Sequence, residues 1–228
     1  MGADMQRIAF AASFDAIVCL DGAIPERSFF ERCMSSPVVA ADGAAVKLFR
    51  RYRLYPSVIV GDLDALLAAP ERVFLENVSR IQITEQETTD FEKILRVAPQ
   101  QGWKRLLIVG FQGEEPDHTL LNWSVALRYV RELELCFYDA ERYGIPLLDS
   151  SILELDIGET ISLIPQLTAV VTTRGFVWEL QQETLQWGRR ESARNLVRQT
   201  PVQIELMEGM VWLFCRARLP KAPSFAPI

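Results

Sequence analysis

Ser57-Val58-Ile59-Val60-Gly61-Asp62-Leu63-Asp64 is the stretch that decides the fold. Three β-branched residues run without a polar interruption into a glycine and two aspartates. A short, uniformly apolar run of this kind is the pattern of a strand covered on both faces. Val38-Val39-Ala40-Ala41-Asp42-Gly43 repeats the arrangement, and Leu106–Val109 runs into Gly110. Two more aspartates stand at Thr88-Thr89-Asp90-Phe91 and Pro116-Asp117-His118. The ends of parallel strands are where open α/β sheets collect ligands. Carboxylates gathered there repel one another unless a hard cation lies among them. Magnesium takes oxygen ligands, usually one or two carboxylates plus substrate phosphates. Asp42, Asp62, Asp64, Asp90 and Asp117 therefore point to a magnesium-dependent site for a phosphorylated substrate.

Outward from that stretch, the pattern predicts strands at Ala16–Leu20, Val38–Ala41, Val58–Val60, Arg80–Ile83, Leu106–Val109 and Glu134–Tyr138. Helical periodicity lies between them, at Ala44–Tyr52, Asp90–Gln101 and His118–Arg131. In the last of these, Leu121, Val125 and Tyr129 recur every four residues and form a face expected to pack on the sheet. Alternation of this kind specifies an α/β fold, a Rossmann-like parallel sheet with flanking helices. The character changes at Gly144-Ile145-Pro146. Beyond it come closely spaced β-like runs at Ile152–Leu155, Thr160–Ile164, Ala169–Thr173, Phe176–Leu180, Val202–Leu206 and Met210–Phe214, separated by glycine turns. These predict a small all-β sandwich domain. The expected boundaries are 1–143 for the α/β domain and 144–228 for the β domain, with an extended tail from Pro220.

The 228 residues are ample for two small domains. Hydrophobic residues make up 49% and charged residues 24%, the balance of an ordinary soluble domain. A net charge of −6 argues against a nucleic-acid partner, which demands a basic face. Cys19, Cys33, Cys136 and Cys215 are widely spaced, form no Cys-x-x-Cys pair, and read as free thiols of a reducing compartment. The apolar stretch Ile8–Phe14 is too short to span a membrane. A cytoplasmic protein without a membrane partner is expected.

Within the motifs, the i, i+2 spacing of Asp62 and Asp64 puts both carboxylates on one side of the chain if it stays extended. The competing reading is a plain turn, since Gly and Asp are common turn residues. Thr89 suits a helix N-cap, with Glu92 reaching back in a capping box and Asp90 favourable to the helix dipole. Lys93, one turn on, can reach a phosphate or stand as an ordinary exposed lysine. Gly110-Phe111-Gln112-Gly113 leads to Asp117-His118 at a helix start, where glycine permits close backbone approach and N–H groups attract phosphate. His118 is the only histidine, which excludes a multi-histidine metal site. No Gly-x-x-x-x-Gly-Lys-Ser/Thr loop and no Gly-x-Ser-x-Gly elbow is present.

Taken together, Asp42-Gly43-Ala44, Gly61-Asp62-Leu63-Asp64, Gln86 with Thr89-Asp90-Phe91-Glu92-Lys93, and Gly110 through Gly113 to Asp117-His118 and Asn122 resemble the thiamin pyrophosphokinase family. Ile161-Ser162-Leu163-Ile164-Pro165, Thr173-Arg174-Gly175-Phe176-Val177-Trp178 and Ser192-Ala193-Arg194-Asn195 are similar to the same family's thiamin-binding β domain. The resemblance implies transfer of diphosphate from ATP to the hydroxyl of thiamin, with release of AMP. It implies Mg2+ on Asp62, Asp64 and Asp90 as the catalytic and metal set. It implies ATP contacts from Asp42, Gln86, Thr89, Lys93, Gly113, Asp117 and His118. Thiamin would stack on Trp178 and bond to Ser192 and Asn195, and the enzyme would work as a homodimer. Two departures stand out. The family usually has Gly-Gly-Arg-x-Asp-His where this chain has Gly113-Glu114-Glu115-Pro116-Asp117-His118, and Arg194 stands where Ser is frequent. A catalytically impaired thiamin- or nucleotide-binding homologue, and a diphosphokinase for another flat-ring alcohol, are the alternatives.

Overall fold

Val58–Gly61 is buried at all four positions and lies inside a parallel sheet, as its composition demands. The computed structural model describes residues 5–113 and 115–228. The chain divides into two compact units, one formed by Ser13–Leu135 and the other by the N-terminal segment with Cys136–Ile228. The first strand, β1 (Met5–Ser13), thus belongs almost wholly with the C-terminal half.

The Ser13–Leu135 unit contains β2 (Ala16–Cys19), α1 (Arg27–Arg32), β3 (Val38–Ala41), α2 (Asp42–Tyr52) and β4 (Val58–Gly61). It continues with α3 (Asp64–Ala68), β5 (Ser79–Gln82), α4 (Asp90–Val97), β6 (Arg105–Val109) and α5 (Pro116–Tyr129). The sheet order is β6-β2-β3-β4-β5 and every neighbouring pair is parallel. The chain steps outward from β2 to β5 and then returns to lay β6 on the other side of β2. That reversal creates a switch point between β2 and β6, the place where such sheets open a crevice. Leu48 and Phe49 of α2 and Phe91, Ile94 and Leu95 of α4 are buried, and both helices pack on β3 and β4. Each such side chain contributes about 1.5–3 kcal/mol through burial.

Three details depart from the sequence pattern. The helix expected over Asp90–Gln101 is α-helical only to Val97 and finishes as a 3-10 turn, Ala98–Gln101. Pro99 lacks the N–H that would continue the ladder and crowds the preceding turn. In α5 the buried stripe is Val125-Ala126, while Leu121 is exposed. The capping box is half formed. Thr89 Oγ1 accepts from the Glu92 N–H at 3.3 Å, but the Glu92 carboxylate turns instead to Arg128 Nη1, at 2.7 and 2.9 Å, and to the Tyr129 hydroxyl at 3.3 Å. A buried carboxylate with charged and phenolic donors on α5 ties that helix to α4.

The chain passes into the second unit within β7 (Glu134–Asp139), which is followed by β8 (Arg142–Leu147), β9 (Ser150–Leu153), β10 (Thr160–Arg174) and β11 (Glu183–Gln186). The remainder is β12 (Ser192–Leu196), β13 (Val202–Arg216) and β14 (Lys221–Pro227). Four of the short strands expected here are halves of two long ones, β10 and β13, each 15 residues. They pair antiparallel along most of their length, with register shifts at Pro165–Ala169 and Val170–Val171, so these apparent turns are bulges. β8 and β9 share the other edge of β13, and β11 and β12 share the other edge of β10. Gly144-Ile145-Pro146 lies inside β8, where Pro146 pairs with Trp212. The tail forms β14, next to β1, which runs parallel to β9. Phe176–Leu180 is a loop rather than a strand, with Phe176 fully buried. The core holds Tyr143, whose hydroxyl donates to the Lys221 carbonyl at 2.9 Å, and Phe137 edge-on to Trp212 at 5.5 Å. All four cysteines are free and buried. Among the described residues no helix is long and apolar enough to cross a membrane.

Arg128→Ala strips the buried Glu92 of its main donor. It is expected to lower stability by about 1–3 kcal/mol, and adding Glu92→Gln should restore much of that loss, both read from urea unfolding midpoints.

Candidate active site

A cavity of about 500 Å³ opens at the carboxyl ends of β2, β3, β4 and β6, and residues 20–122 supply its described lining. Two close approaches shape it. The loops after β2 and β6 meet at the switch point, where the Gly22 N–H donates to the Gly110 carbonyl at 2.8 Å and the Ala23 N–H to Gln112 at 2.6 Å. A Cβ on Gly22 would lie 2.4 Å from the Gln112 carbonyl, so no other residue lets these loops touch. At the end of β4 the Asp90 carboxylate lies over Gly61, where a Cβ would stand 3.0 Å from three of its atoms.

Asp42, Asp62 and Asp90 line this cavity with Lys93. Asp42 is 5% exposed, its carboxylate accepting from the Gly43 N–H at 2.6 Å and the Ala65 N–H at 3.0 Å. Asp62 accepts from the Asp64 N–H at 3.1 Å and from Gln86 Nε2 at 2.7 Å. These bonds, the Asp64 N–H first, hold its carboxyl below the usual carboxylate range. Lys93 is 2% exposed, not an ordinary surface lysine. Its Nζ donates to Asp90 Oδ1 at 3.2 Å and lies 3.9 Å from Asp62 Oδ2. Burial, and then the neighbouring Asp42 charge, push the Asp90 carboxyl up to about 6 against the pull of Lys93. The donor set fits a hard divalent cation: carboxylate oxygens, two of them on side chains that repel when both are ionised. Among the described residues no three His, Cys, Asp or Glu side chains converge into a full protein cage. Magnesium does not require one, since it keeps water and phosphate oxygens beside one or two carboxylates.

Asp64 does not join them. The shared side expected for Asp62 and Asp64 needs an extended chain, and Leu63 instead adopts a left-handed conformation (φ 73°) while Asp64 opens α3, exposed and outside the cavity lining. Gln86 and Thr89 line the cavity, whereas Gly113 and Asp117 do not. His118 lines it from an exposed position, its Nε2 3.4 Å from Glu115 Oε2. Glu115 is itself a lining residue, and Glu114 lies outside the described residues. Gln112, from the Gly110-Phe111-Gln112-Gly113 run, lines the cavity, and Asp21 and Thr119 line it without having stood out in the sequence. The signal for Asp21 was there: Cys19-Leu20-Asp21-Gly22 repeats the strand-Asp-Gly pattern of Ala41-Asp42-Gly43.

In the other unit, Trp178 is 61% exposed. Asn195 is 4% exposed and bonds to the Trp178 backbone: Nδ2 donates to its carbonyl at 2.7 Å, and Oδ1 accepts from its N–H at 3.2 Å. Ser192 begins β12, half-buried and paired with Leu163. Arg194 sits in a left-handed conformation (φ 58°), exposed, with its N–H on Ser162 Oγ at 3.0 Å.

Residues 31–137 match the family model described as thiamin pyrophosphokinase, catalytic domain, and residues 150–211 match the one described as thiamin pyrophosphokinase, vitamin B1 binding domain. The chain belongs to the thiamin pyrophosphokinase family. It is similar to thiamine pyrophosphokinase 1 of Oryza sativa subsp. japonica, at 27% identity over 204 residues covering 76% of each chain. The protein of the same name from Arabidopsis thaliana is 25% identical over 195 residues, 77% of this chain and 70% of that one. Among solved structures, yeast thiamin pyrophosphokinase superposes with a TM-score of 0.75 at 19% identity, covering 90% of this chain and 86% of that one. The Bacillus subtilis thiamine pyrophosphokinase gives 0.72 at 19% identity, covering 90% and 100%. These two likenesses speak for the fold. Within this thiamin pyrophosphokinase family chain, Asp42, Asp62, Asp90 and Glu115 fall inside the segment that matches the catalytic-domain model, Asp21 lies before it, and Trp178 and Asn195 fall inside the vitamin B1 binding segment.

A carboxyl with a raised pKa makes the folded state bind more protons than the unfolded one between the two pKa values, so stability falls as pH rises through that interval. For Asp90 the interval runs from the ordinary value of 3.8 to about 6. Asp90→Asn is therefore expected to stabilise the metal-free protein at pH 7.5 by up to on the order of 3 kcal/mol and to have little effect at pH 4. Thermal unfolding in EDTA at the two pH values checks this.

Proposed function

We propose that this chain is a magnesium-dependent thiamin pyrophosphokinase that moves the β,γ-diphosphate of ATP onto the hydroxyl of thiamin. The bond from the β-phosphorus to its α,β-bridging oxygen breaks, AMP leaves, and the new bond joins that phosphorus to the thiamin oxygen, which loses its proton. The observation that carries this reading is Asp42, Asp62 and Asp90 around a buried Lys93, at strand ends within the catalytic-domain match. Asp90 with Asp42 or Asp62 would hold magnesium, which would supply positive charge against the transferred and leaving oxygens. The chain's own contribution is positioning. Lys93 supplies an ammonium beside the phosphates, and Gln86 keeps the Asp62 carboxylate aimed. The glycine contact between the loops after β2 and β6 leaves backbone room for the nucleotide, and Thr119 and Asn122 border the same space. Phosphoryl transfer leaves little covalent work for the protein, so position and charge dominate.

On this reading the parallel-sheet unit is the nucleotide-binding domain and the β unit, as a small sandwich, takes thiamin. Trp178 would stack on the cationic thiazolium, a pairing worth ~0.5–2 kcal/mol. A homodimer and a cytoplasmic setting belong to the same proposal, the four buried free thiols supporting the latter. Glu115 favours a second reading, an impaired homologue. It adds a fifth carboxylate to Asp21, Asp42, Asp62 and Asp90, with Lys93 the one lysine or arginine among the described lining residues.

Formation of thiamin diphosphate and AMP from thiamin and MgATP is the deciding assay. Asp62→Asn and Asp90→Asn are each expected to lower kcat by about a hundredfold or more. Absence of product from the native chain, with thiamin still bound, would establish the impaired homologue instead. Glu115→Arg reverses one charge to its opposite and is expected to lower KM for MgATP by on the order of tenfold, with KM for thiamin unchanged in steady-state kinetics.

A further inference from the structure

Trp178 rides on a short loop whose backbone is tied down at almost every step. At its start the Gly175 N–H donates to Glu179 Oε1 at 3.1 Å, and the Gly175 carbonyl accepts from Arg198 N at 2.8 Å and Gln199 N at 3.1 Å. Phe176 is fully buried and bridges to Val197. The Val177 N–H donates to the Leu196 carbonyl at 2.9 Å. At the far end the Leu180 N–H donates to Thr173 Oγ1 and the Thr173 N–H to the Leu180 carbonyl, both at 2.9 Å. Between these anchors the peptide groups on both sides of Trp178 Cα are held by one side chain, Asn195. Its Oδ1 accepts from Trp178 N at 3.2 Å and from Leu196 N at 2.8 Å, and its Nδ2 donates to the Trp178 carbonyl at 2.7 Å.

An amide oxygen has two lone pairs and an amide nitrogen two protons. Both lone pairs of Asn195 Oδ1 are engaged, as is one of its protons, on a residue 4% exposed. Little is left for a ligand. The tryptophan it holds is by contrast 61% exposed. We infer that Asn195 is a positioning residue: its side-chain amide clamps the Trp178 backbone and fixes the orientation in which the indole meets a flat cationic ring, without touching that ring. This rests on the reading of Trp178 as the surface that takes thiamin. An exposed aromatic on a slack loop would lose rotational freedom on binding, whereas a clamped one has lost it already.

Asn195→Asp tests the clamp. It keeps the shape and the acceptor for the two N–H groups but sets an oxygen where Nδ2 faced the Trp178 carbonyl. Amide exchange across residues 175–180 should rise, since opening of the loop becomes easier. Thiamin Kd by calorimetry and KM for thiamin should both rise about tenfold, with KM for MgATP and saturated kcat within about threefold of the native values. Weaker thiamin binding with unchanged exchange would overturn the inference and make Asn195 a direct ligand. Faster exchange with unchanged thiamin affinity would overturn it as well. If Asn195→Asp does not fold, Thr173→Val removes the acceptor for Leu180 N and carries the same expectations. Trp178→Ala separates the two layers. Native thiamin affinity in that variant would remove the platform itself, whereas lost affinity there, with Asn195→Asp native in every readout, would remove only the clamp.

Discussion

Electrostatic frustration around Lys93 is the constraint on which the site depends. One buried ammonium faces Asp62 and Asp90, and Asp90 in turn faces Asp42. A single cation cannot satisfy three carboxylates in a place that burial has partly stripped of water, so one of them, Asp90, holds its proton unusually well. On the proposed reading, the state would improve when further positive charge arrives with a polyphosphate. Backbone N–H groups at Gly43, Ala65 and Asp64 fix two of the carboxylates in place before that happens. The parallel sheet makes this affordable, because its rigid strand ends bring residues distant in sequence to one rim.

Much of this was legible in residue order. Val58-Ile59-Val60 and Val38–Ala41 read as strands buried on both faces because nothing polar interrupts them, and Asp42, Asp62, Asp64, Asp90 and Asp117 read as one site, of which Asp42, Asp62 and Asp90 line the cavity. What escaped did so for identifiable reasons. Asp64 has the right spacing but sits beyond a left-handed leucine, and a backbone conformation that Leu63 adopts only under tertiary pressure leaves no mark in composition. Glu92 matches a capping box, yet its carboxylate answers to Arg128, a long-range donor invisible to local pattern. β10 and β13 looked like four strands because a bulge and a turn use the same residues, and only pairing distinguishes them. Lys93 read by default as an exposed helix lysine, with a phosphate contact as the alternative, since burial of a charged side chain depends on partners as distant in sequence as Asp62.

The two units handle rigidity differently. In the Ser13–Leu135 unit it comes from the inner strands β2, β3, β4 and β6, buried at nearly every position, with β5 at the more exposed edge. In the other unit it comes from side chains that tie a loop to neighbouring backbone, with Thr173, Glu179 and Asn195 each satisfying groups that no strand partner reaches. Loops that carry recognition are generally the mobile parts of a fold. The Trp178 loop, proposed above to carry recognition, has the hydrogen-bonding density of regular structure while keeping its aromatic tip in solvent.

The placement of β1 has a consequence for how the chain is made. Its parallel partner β9 and its other neighbour β14 both lie in the C-terminal half. At synthesis speeds of about 5–20 residues per second, β1 emerges before β9 and β14 and waits on the order of ten seconds or more for them. The intervening Ser13–Leu135 unit carries the parallel strands β2 to β6 on one continuous segment and can assemble them during that interval. A waiting strand with two open edges invites pairing with another nascent chain. Only Ile8 among its nine residues is fully buried, and Gln6 and Arg7 put polar groups beside it. The strand that must wait for its partners is thus one that water tolerates.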